Sequence, residues 1–420
     1  MFCTLEGGST VYSKATSVIY TNFFLLGMVN VILISNMGSL TNQWSTDSAG
    51  ISYIISAIGI GKLLTYAYLG RLSDRIGRKP LIIFASFTLG IFLVGIPLAP
   101  SFQVAFILAL LAGVGNSALD AGAYPALAEA YPKATGSASI LVKAFMATGT
   151  AILPLMILFI AKQELFYGTT FFVLAAVYFL ATFLLIPASF PNHRMKRPAK
   201  MDDDQEEGKK FVSEPQFNKE GLALVLIGFT STALFTVAQI WLPSYGEEVL
   251  GMSTESAIKL LSYYSVGGIV SVLTLAVLMK KFLRPVTIIV IYPIITFFAI
   301  LTILTVKIES VTIVAAFFIG LSTAGIFQLA IAIAAELFWL KKGRVTGLIA
   351  TAAGLASVVM PLATGLLSKT GNISNIFIFD AFIAVTGFFA ACYVFVRYGK
   401  IIGKHTDRLI QPKSSTSIEK

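Results

Sequence analysis

An all-α membrane protein, with twelve transmembrane helices in two six-helix halves, is the fold class this sequence predicts. Three observations lead to it. Of 420 residues, 56% are hydrophobic and only 12% charged, about half the charged share of a soluble domain. Apolar runs of roughly 20 residues recur along the chain, long enough to cross a hydrocarbon core about 30 Å thick at 1.5 Å per residue. A polar, charge-rich stretch then divides the runs into two sets of six. In lipid every backbone N–H and C=O needs a partner within the protein, so such runs are helices or barrel strands. These are too long and continuous for barrel strands, which alternate over about ten residues.

The runs are placed at 15–40, 49–70, 80–99, 103–131, 137–161, 168–190, 219–243, 256–279, 285–306, 310–338, 344–368 and 373–397. The first carries Asn22, Asn30 and Asn36, neutral hydrogen-bonding groups for a cavity or for helix contacts, and is too long for a signal-peptide core. The second carries Lys62 with Gly59 and Gly61. The third, sixth and ninth rest on hydropathy alone. The fourth carries Asn116, Asp120 and Tyr124 and ends near Glu129; the tenth carries Gln328 and ends near Glu336. Lys143 lies about six residues into the fifth, where it either snorkels to head groups or adds positive charge for an anionic substrate. Gln239 lies in the seventh. Asp380, shallow in the twelfth, is read as an outer-interface residue. Small residues (Gly136, Ala144, Ala147 and Gly149 in the fifth, Gly267 and Gly268 in the eighth, Gly347, Gly354 and Ala356 in the eleventh) allow close helix approach, either between sliding halves or within one half.

Lysine and arginine set the orientation. Even-numbered connections hold Arg71, Arg75, Arg78, Lys79, Lys133, Arg194, Lys196, Arg197, Lys200, Lys280, Lys281, Arg284, Lys341, Lys342 and Arg344, against only Lys162, Lys259, Lys307 and Lys369 in odd-numbered ones. Both termini are therefore expected in the cytosol. The net charge of +10 reads as membrane orientation and attraction to anionic lipid head groups, not nucleic-acid binding. Cys3 and Cys392 lie far apart and suggest no disulfide, and the two histidines, His193 and His405, fall outside the spans. No cofactor or metal is expected.

The stretch "PNHRMKRPAKMDDDQEEGKKFVSEPQFNKE" reads as a cytosolic linker. The expected organisation is a first half at 1–190, linker at 191–218, second half at 219–398 and tail at 399–420. A shift of 207 positions aligns Gly113 with Gly320, Glu129 with Glu336, Gly136 with Gly343, and Pro154-Leu155 with Pro361-Leu362. Halves in the same topology are the parallel-repeat design of transporters whose site lies between halves near the bilayer midplane. Chance similarity of apolar segments is the alternative.

The turn "GRLSDRIGRKP", Gly70 to Pro80, resembles the G-x-L-x-D-x-x-G-[RK]-[RK] signature of the major facilitator superfamily, with every defining position filled. Gly70 and Gly77 suit a very short loop, Arg75, Arg78 and Lys79 suit lipid phosphates, and Asp74 supplies an anion at a helix end. The resemblance implies that Asp74 caps or pairs with the start of the eleventh helix, at Gly343 and Arg344, closing the cytosolic side. Glu129 and Glu336 are read as braces of that gate. The strings "STDSAGISYIISAIGIGKLL", "GNSALDAGAYPALAEAYPKATGSASILVKA" and "SYYSVGGIV" are similar to a group of bacterial inner-membrane permeases found near shikimate and quinate metabolism genes. That resemblance implies a hydroxylated cyclic carboxylate as substrate and a place in the bacterial inner membrane.

Asn116, Asp120 and Tyr124 are spaced i, i+4, i+8 and share one face of the fourth helix. An ionisable group at mid-helix normally faces a bundle interior or aqueous cavity. Asp120 lies roughly 16 Å and Lys62 roughly 12 Å from the cytosolic ends of their helices, so the two can meet. A structural ion pair, a substrate site and a proton-coupling site all account for them.

These residues lead to a secondary transporter, expected to be a monomer, that takes up a small organic anion with protons. Export of a drug or metabolite by antiport is the alternative. Drug antiporters of the superfamily usually carry G-P-x-x-G-G in the fifth helix and an arginine in the fourth, and "MATGTAILPLM" and "FILALLAGVGNSALDAG" lack them. An enzyme is not expected, since no G-x-x-x-x-G-K-[ST], H-E-x-x-H or G-x-S-x-G motif is present.

Overall fold

The computed structural model describes residues 13–131, 135–188, 190, 213–281, 284–338 and 342–402. Among them are twelve helical spans long and apolar enough to cross a membrane. The helices are α1 Ser13–Ser35, α2 Met37–Trp44, α3 Ser48–Ile76, α4 Arg78–Leu98, α5 Phe102–Ala130, α6 Thr135–Lys162, α7 Gly168–Leu185, α8 Leu222–Glu248, α9 Thr254–Lys281, α10 Pro285–Thr305, α11 Glu309–Thr323, α12 Ile326–Leu337, α13 Lys342–Ser368 and α14 Ser374–Ile402. The tenth span is α11 and α12 together; α2 is a short extension of the first. Most of the linker, the tail and Lys133 lie outside the described residues.

Several spans differ from their hydropathic limits: the sixth ends at Leu185, the seventh runs to Glu248 and the twelfth to Ile402, and three more differ for identifiable reasons. The first ends at Ser35, because Asn36 leaves helical geometry and turns its Nδ2 onto the Ile32 carbonyl at 2.8 Å, which separates α2 from α1. The second continues to Ile76, since the polar residues after Gly70 end the apolar run but not the helix. The tenth breaks at Ala324–Gly325.

Gly77, at φ 97°, both ends α3 and starts α4, so a single residue reverses the chain where an L side chain would be strained. Gly70 instead lies within α3, with open space where a side chain would project. Its expected place in the loop is therefore corrected.

The two halves repeat one contact. A side chain at Gly61 would strike the Leu110 carbonyl and one at Gly113 the Ile58 carbonyl, locking α3 to α5. In the second half Gly267 meets the Phe317 carbonyl and Gly320 the Tyr264 carbonyl, locking α9 to α11 in the same way. Backbones this close exclude any Cβ, and dispersion across them holds helices together in lipid. Gly27 and Gly149 do the same between α1 and α6, against Met146 and Phe24. Several of the small residues thus pack within a half. Gly59, against Ser357, and Gly354, against Leu63, lie between halves.

The end of the bundle holding Gly77 is the one that charge assigns to the cytosol, and it is called inner below. The halves meet toward the outer end. Ser56 Oγ donates to the Val358 carbonyl at 2.9 Å, Ser262 Oγ to the Ala151 carbonyl at 2.8 Å, and Lys162 pairs with Glu255 at 3.7 Å. Toward the inner end Gly70 of the first half and Gly347 of the second have open space at their side-chain positions, with no atom within 4 Å.

Candidate functional site

The close approach of α3 and α5 at Gly61 and Gly113 brings a polar ladder together. Lys62 Nζ lies 2.9 Å from Asp120 Oδ2 and donates to Asn116 Oδ1 at 3.0 Å. One turn on, the Thr65 and Ser117 hydroxyls are 2.6 Å apart, and about two turns beyond Thr65 the Ser73 Oγ donates to the Ala121 carbonyl at 2.8 Å. Tyr124 continues the face, its ring 5.3 Å from that of Phe23. The expected meeting of Lys62 and Asp120 is present.

A cavity of about 230 Å³ lies between the halves, lined by both. Asn30, Lys143, Gln239 and Gln328 reach its wall, with Tyr264 and Thr323. Helical spacing presents Lys143, Ala147 and Thr150 along one face of α6, and the α1–α6 glycine contacts hold that face in place. Tyr264 Oη lies 3.3 Å from both the Phe235 carbonyl and Thr323 Oγ1. Lys143 makes no hydrogen bond or ion pair among the described residues, although Asp120 is near enough for its charge to act on it. It faces the cavity rather than the head groups.

Two of the asparagines serve elsewhere. Asn22 is fully buried, accepting from Ser86 Oγ at 2.7 Å and donating to the Val18 carbonyl at 2.9 Å, which ties α1 to α4. Asn36 lines a separate outer cavity of about 650 Å³.

At the inner end Arg78 is the hub. It donates to Asp74 at 2.7 Å, Ser73 at 2.9 Å and Glu129 at 2.9 Å. Lys79 Nζ caps the end of α7 through the Ile186 and Ala188 carbonyls at 2.7 and 2.9 Å. These two basic groups are engaged by protein, which corrects their reading as lipid anchors; Arg75 stays exposed. Glu336, the repeat partner of Glu129, accepts from Tyr398 Oη at 3.0 Å. Asp74 pairs within its own half, and the Arg344 side chain lies outside those described.

Asp380 is the clearest correction. It is 0% exposed, and neither carboxylate oxygen has a hydrogen-bond partner among the described residues. Depth along α14 suggested an interface position, but its face of the helix points into the second half.

The sequence profile described as Major Facilitator Superfamily matches residues 19–338. The chain belongs to this family. It is 55% identical over 394 residues, 94% of this chain and 99% of the relative, to YfkL of Bacillus subtilis (strain 168), described as an uncharacterized MFS-type transporter. It is 36% identical to the inner membrane transport protein YdiN of Escherichia coli (strain K12), covering 94% of this chain and 92% of that one. A D-xylose-proton symporter structure superposes with a TM-score of 0.75 at 14% identity, covering 92% and 97% of the two chains. A bacterial Spinster homologue in an inward-facing, occupied conformation gives 0.68 at 13%, covering 94% and 98%. At such identities these structures share the fold alone.

As a member of the Major Facilitator Superfamily the protein is a multi-pass secondary transporter and not an enzyme. The family signature at Gly70–Pro80 was legible as a motif. Tyr264 and Thr323 were not singled out, because an uncharged hydroxyl in a membrane helix serves helix contact and cavity equally well.

Proposed function

We propose that this transporter takes up a small organic anion together with protons, a hydroxylated cyclic carboxylate being the substrate class. The observation that carries the reading is the unpaired Lys143 on the wall of the inter-half cavity. Lys62, Asp120 and Lys143 together leave one positive charge, and an anion brought beside Lys143 compensates it in a medium where charge is costly to leave alone. Asn30, Gln239, Gln328 and Thr323 offer donors and acceptors suited to ring hydroxyls. The cavity, about 230 Å³, is smaller than the roughly 300–1,000 Å³ of drug-sized sites, which favours a small solute over a drug. Attachment to the inner membrane with both termini in the cytosol and anionic lipid around the basic turns completes the reading.

Thermal shift of the purified protein tests it, because a ligand of the native state raises stability, by about 2.7 kcal/mol at 100 times Kd. Quinate and shikimate are expected to raise Tm, and glucose and lysine to leave it unchanged. Lys143→Met should abolish the shift. Stabilisation by neutral or cationic solutes alone, undiminished in Lys143→Met, would overturn the proposal.

A further inference from the structure

Asp380 is buried at 0% exposure with both oxygens lacking a hydrogen-bond partner among the described residues. It lies six residues into α14 from Ser374, about 9 Å along the helix axis. Among the described residues, the elements packed on α14 supply no cation to it. In α10, Tyr292 is the only titratable side chain and accepts from Ser271 at 3.2 Å. In α8, Tyr245 donates to the Ile303 carbonyl at 2.6 Å, while Glu247 and Glu248 sit at the helix end. Lys342 and Arg344 belong to the first turn of α13, at the opposite end of that helix, and Lys369 just past its last residue sits over the Tyr53 ring at 5.6 Å. Within α14 itself, Arg397 holds Glu220 and Lys400 is in the last turn. Gly387, seven residues on along the same face of α14, packs on Thr230 of α8, and the Phe235 carbonyl of α8 accepts from the hydroxyl of Tyr264 of α9 on the cavity wall, near enough to Asp380 for its charge to act on it.

We propose that Asp380 is a proton-binding site, occupied in this conformation and linked to the central cavity through Tyr264. An ionised carboxylate without a partner is far more costly to bury than the neutral acid. A hard metal cation needs several oxygen ligands at once, and no cluster of three or more carboxylate, imidazole or thiol side chains is present among the described residues. A proton needs only the carboxylate. Asp120 differs: Lys62 lies 2.9 Å from it, so its charge is already balanced.

The link to the cavity gives the proton a consequence. Tyr264, Phe235 and Thr323 all line the cavity and are joined through the Tyr264 hydroxyl, and the α14 face that carries Asp380 packs on α8, the helix of Phe235. An anion in the cavity favours the neutral form of Asp380, and loss of the proton disfavours the anion. The coupling is reciprocal, so anion and proton travel in the same direction. This step deepens the proton-coupled reading above and rests on it for its connection to transport, whereas the proton site itself does not.

Infrared difference spectroscopy of the full chain in nanodiscs reads the site without any solute. Wild type at neutral pH should show the carbonyl band of a buried carboxylic acid. The band should vanish in Asp380→Asn, move in Asp380→Glu, and persist in Asp120→Asn. Its absence from wild type, or its persistence in Asp380→Asn, overturns the proposal. Should Asp380→Asn fail to fold, the move of the band in Asp380→Glu decides, and an unmoved band counts against Asp380. Calorimetry with quinate, at a pH raised until the wild-type band has gone and in buffers of different ionisation enthalpy, then reads the coupling. Uptake of about one proton per quinate is expected in wild type and none in Asp380→Asn; equal uptake in both overturns the link. If quinate does not bind, the substrate reading fails while the band still decides the proton site.

Discussion

Lys62 Nζ and Asp120 Oδ2 are 2.9 Å apart across the α3–α5 contact, and Asn116 shares the same ammonium. Removing one partner strands the other charge. Lys62 is 37% exposed, which softens the penalty, so Lys62→Met and Asp120→Asn are each expected to lose about 1–2 kcal/mol. The double variant should recover most of that in thermal unfolding and retain pH-driven accumulation of substrate. Loss of accumulation in both Asp120→Asn and the double, with exchange intact, would instead assign the coupling proton to Asp120.

A methyl group at Gly320 would sit 1.8 Å from the Tyr264 carbonyl oxygen. Gly320→Ala is expected to cost about 3 kcal/mol or to prevent folding, because backbone cannot move aside as a flexible side chain does. Gly347, with nothing within 4 Å, should tolerate the same change and gain up to about 1 kcal/mol of helix stability. Thermal melts of the two variants in detergent check the contrast.

Asp74 is 73% exposed, so its pair with Arg78 contributes at most about 0.5–1 kcal/mol to the conformation described. Asp74→Asn should leave Tm nearly unchanged while making cysteine probes on the inner side of the cavity more reactive. Unaltered reactivity together with unaltered transport would remove Asp74 from the gate.

Glu220, 0% exposed in the π-helical turn Phe217–Gly221 before α8, is held by Arg397 Nε at 2.5 Å and accepts from the Gln216 backbone N–H at 2.8 Å. Arg397→Ala is expected to lower stability by about 3 kcal/mol, since it leaves a buried carboxylate without its cation. Restoration of most of the loss by Glu220→Gln in the same chain is the check in chemical unfolding.

Orientation has its own measurement. Ser45 is exposed in the first connection, and Asp202 belongs to the linker. An impermeant thiol reagent added to intact cells should label Ser45→Cys and spare Asp202→Cys. The reverse pattern would invert the protein in the membrane.

Spans were legible because hydropathy measures the quantity that lipid selects. Helix ends were not. Arg71, Asp74 and Arg75 look like loop to a hydropathy window, yet α3 continues through them to Ile76 because only Gly77 leaves helical geometry. The Lys62–Asp120 meeting was legible because two groups at similar depth on adjacent helices have few other partners. The burial of Asp380 was hidden, since depth along a helix says nothing of the direction its face takes. Asn22 and Asn30, eight residues apart on one helix, look alike in sequence, but one ties α1 to Ser86 and the other faces the cavity.

The break at Ala324–Gly325 divides the tenth span, whereas its repeat counterpart α5 runs unbroken from Phe102 to Ala130. The repeat is therefore unequal at this point: the span of the first half is continuous and that of the second is interrupted beside the cavity. Gln328 stands one turn past the interruption and lines the cavity, while on its other side α11 is clamped to α9 at Gly320.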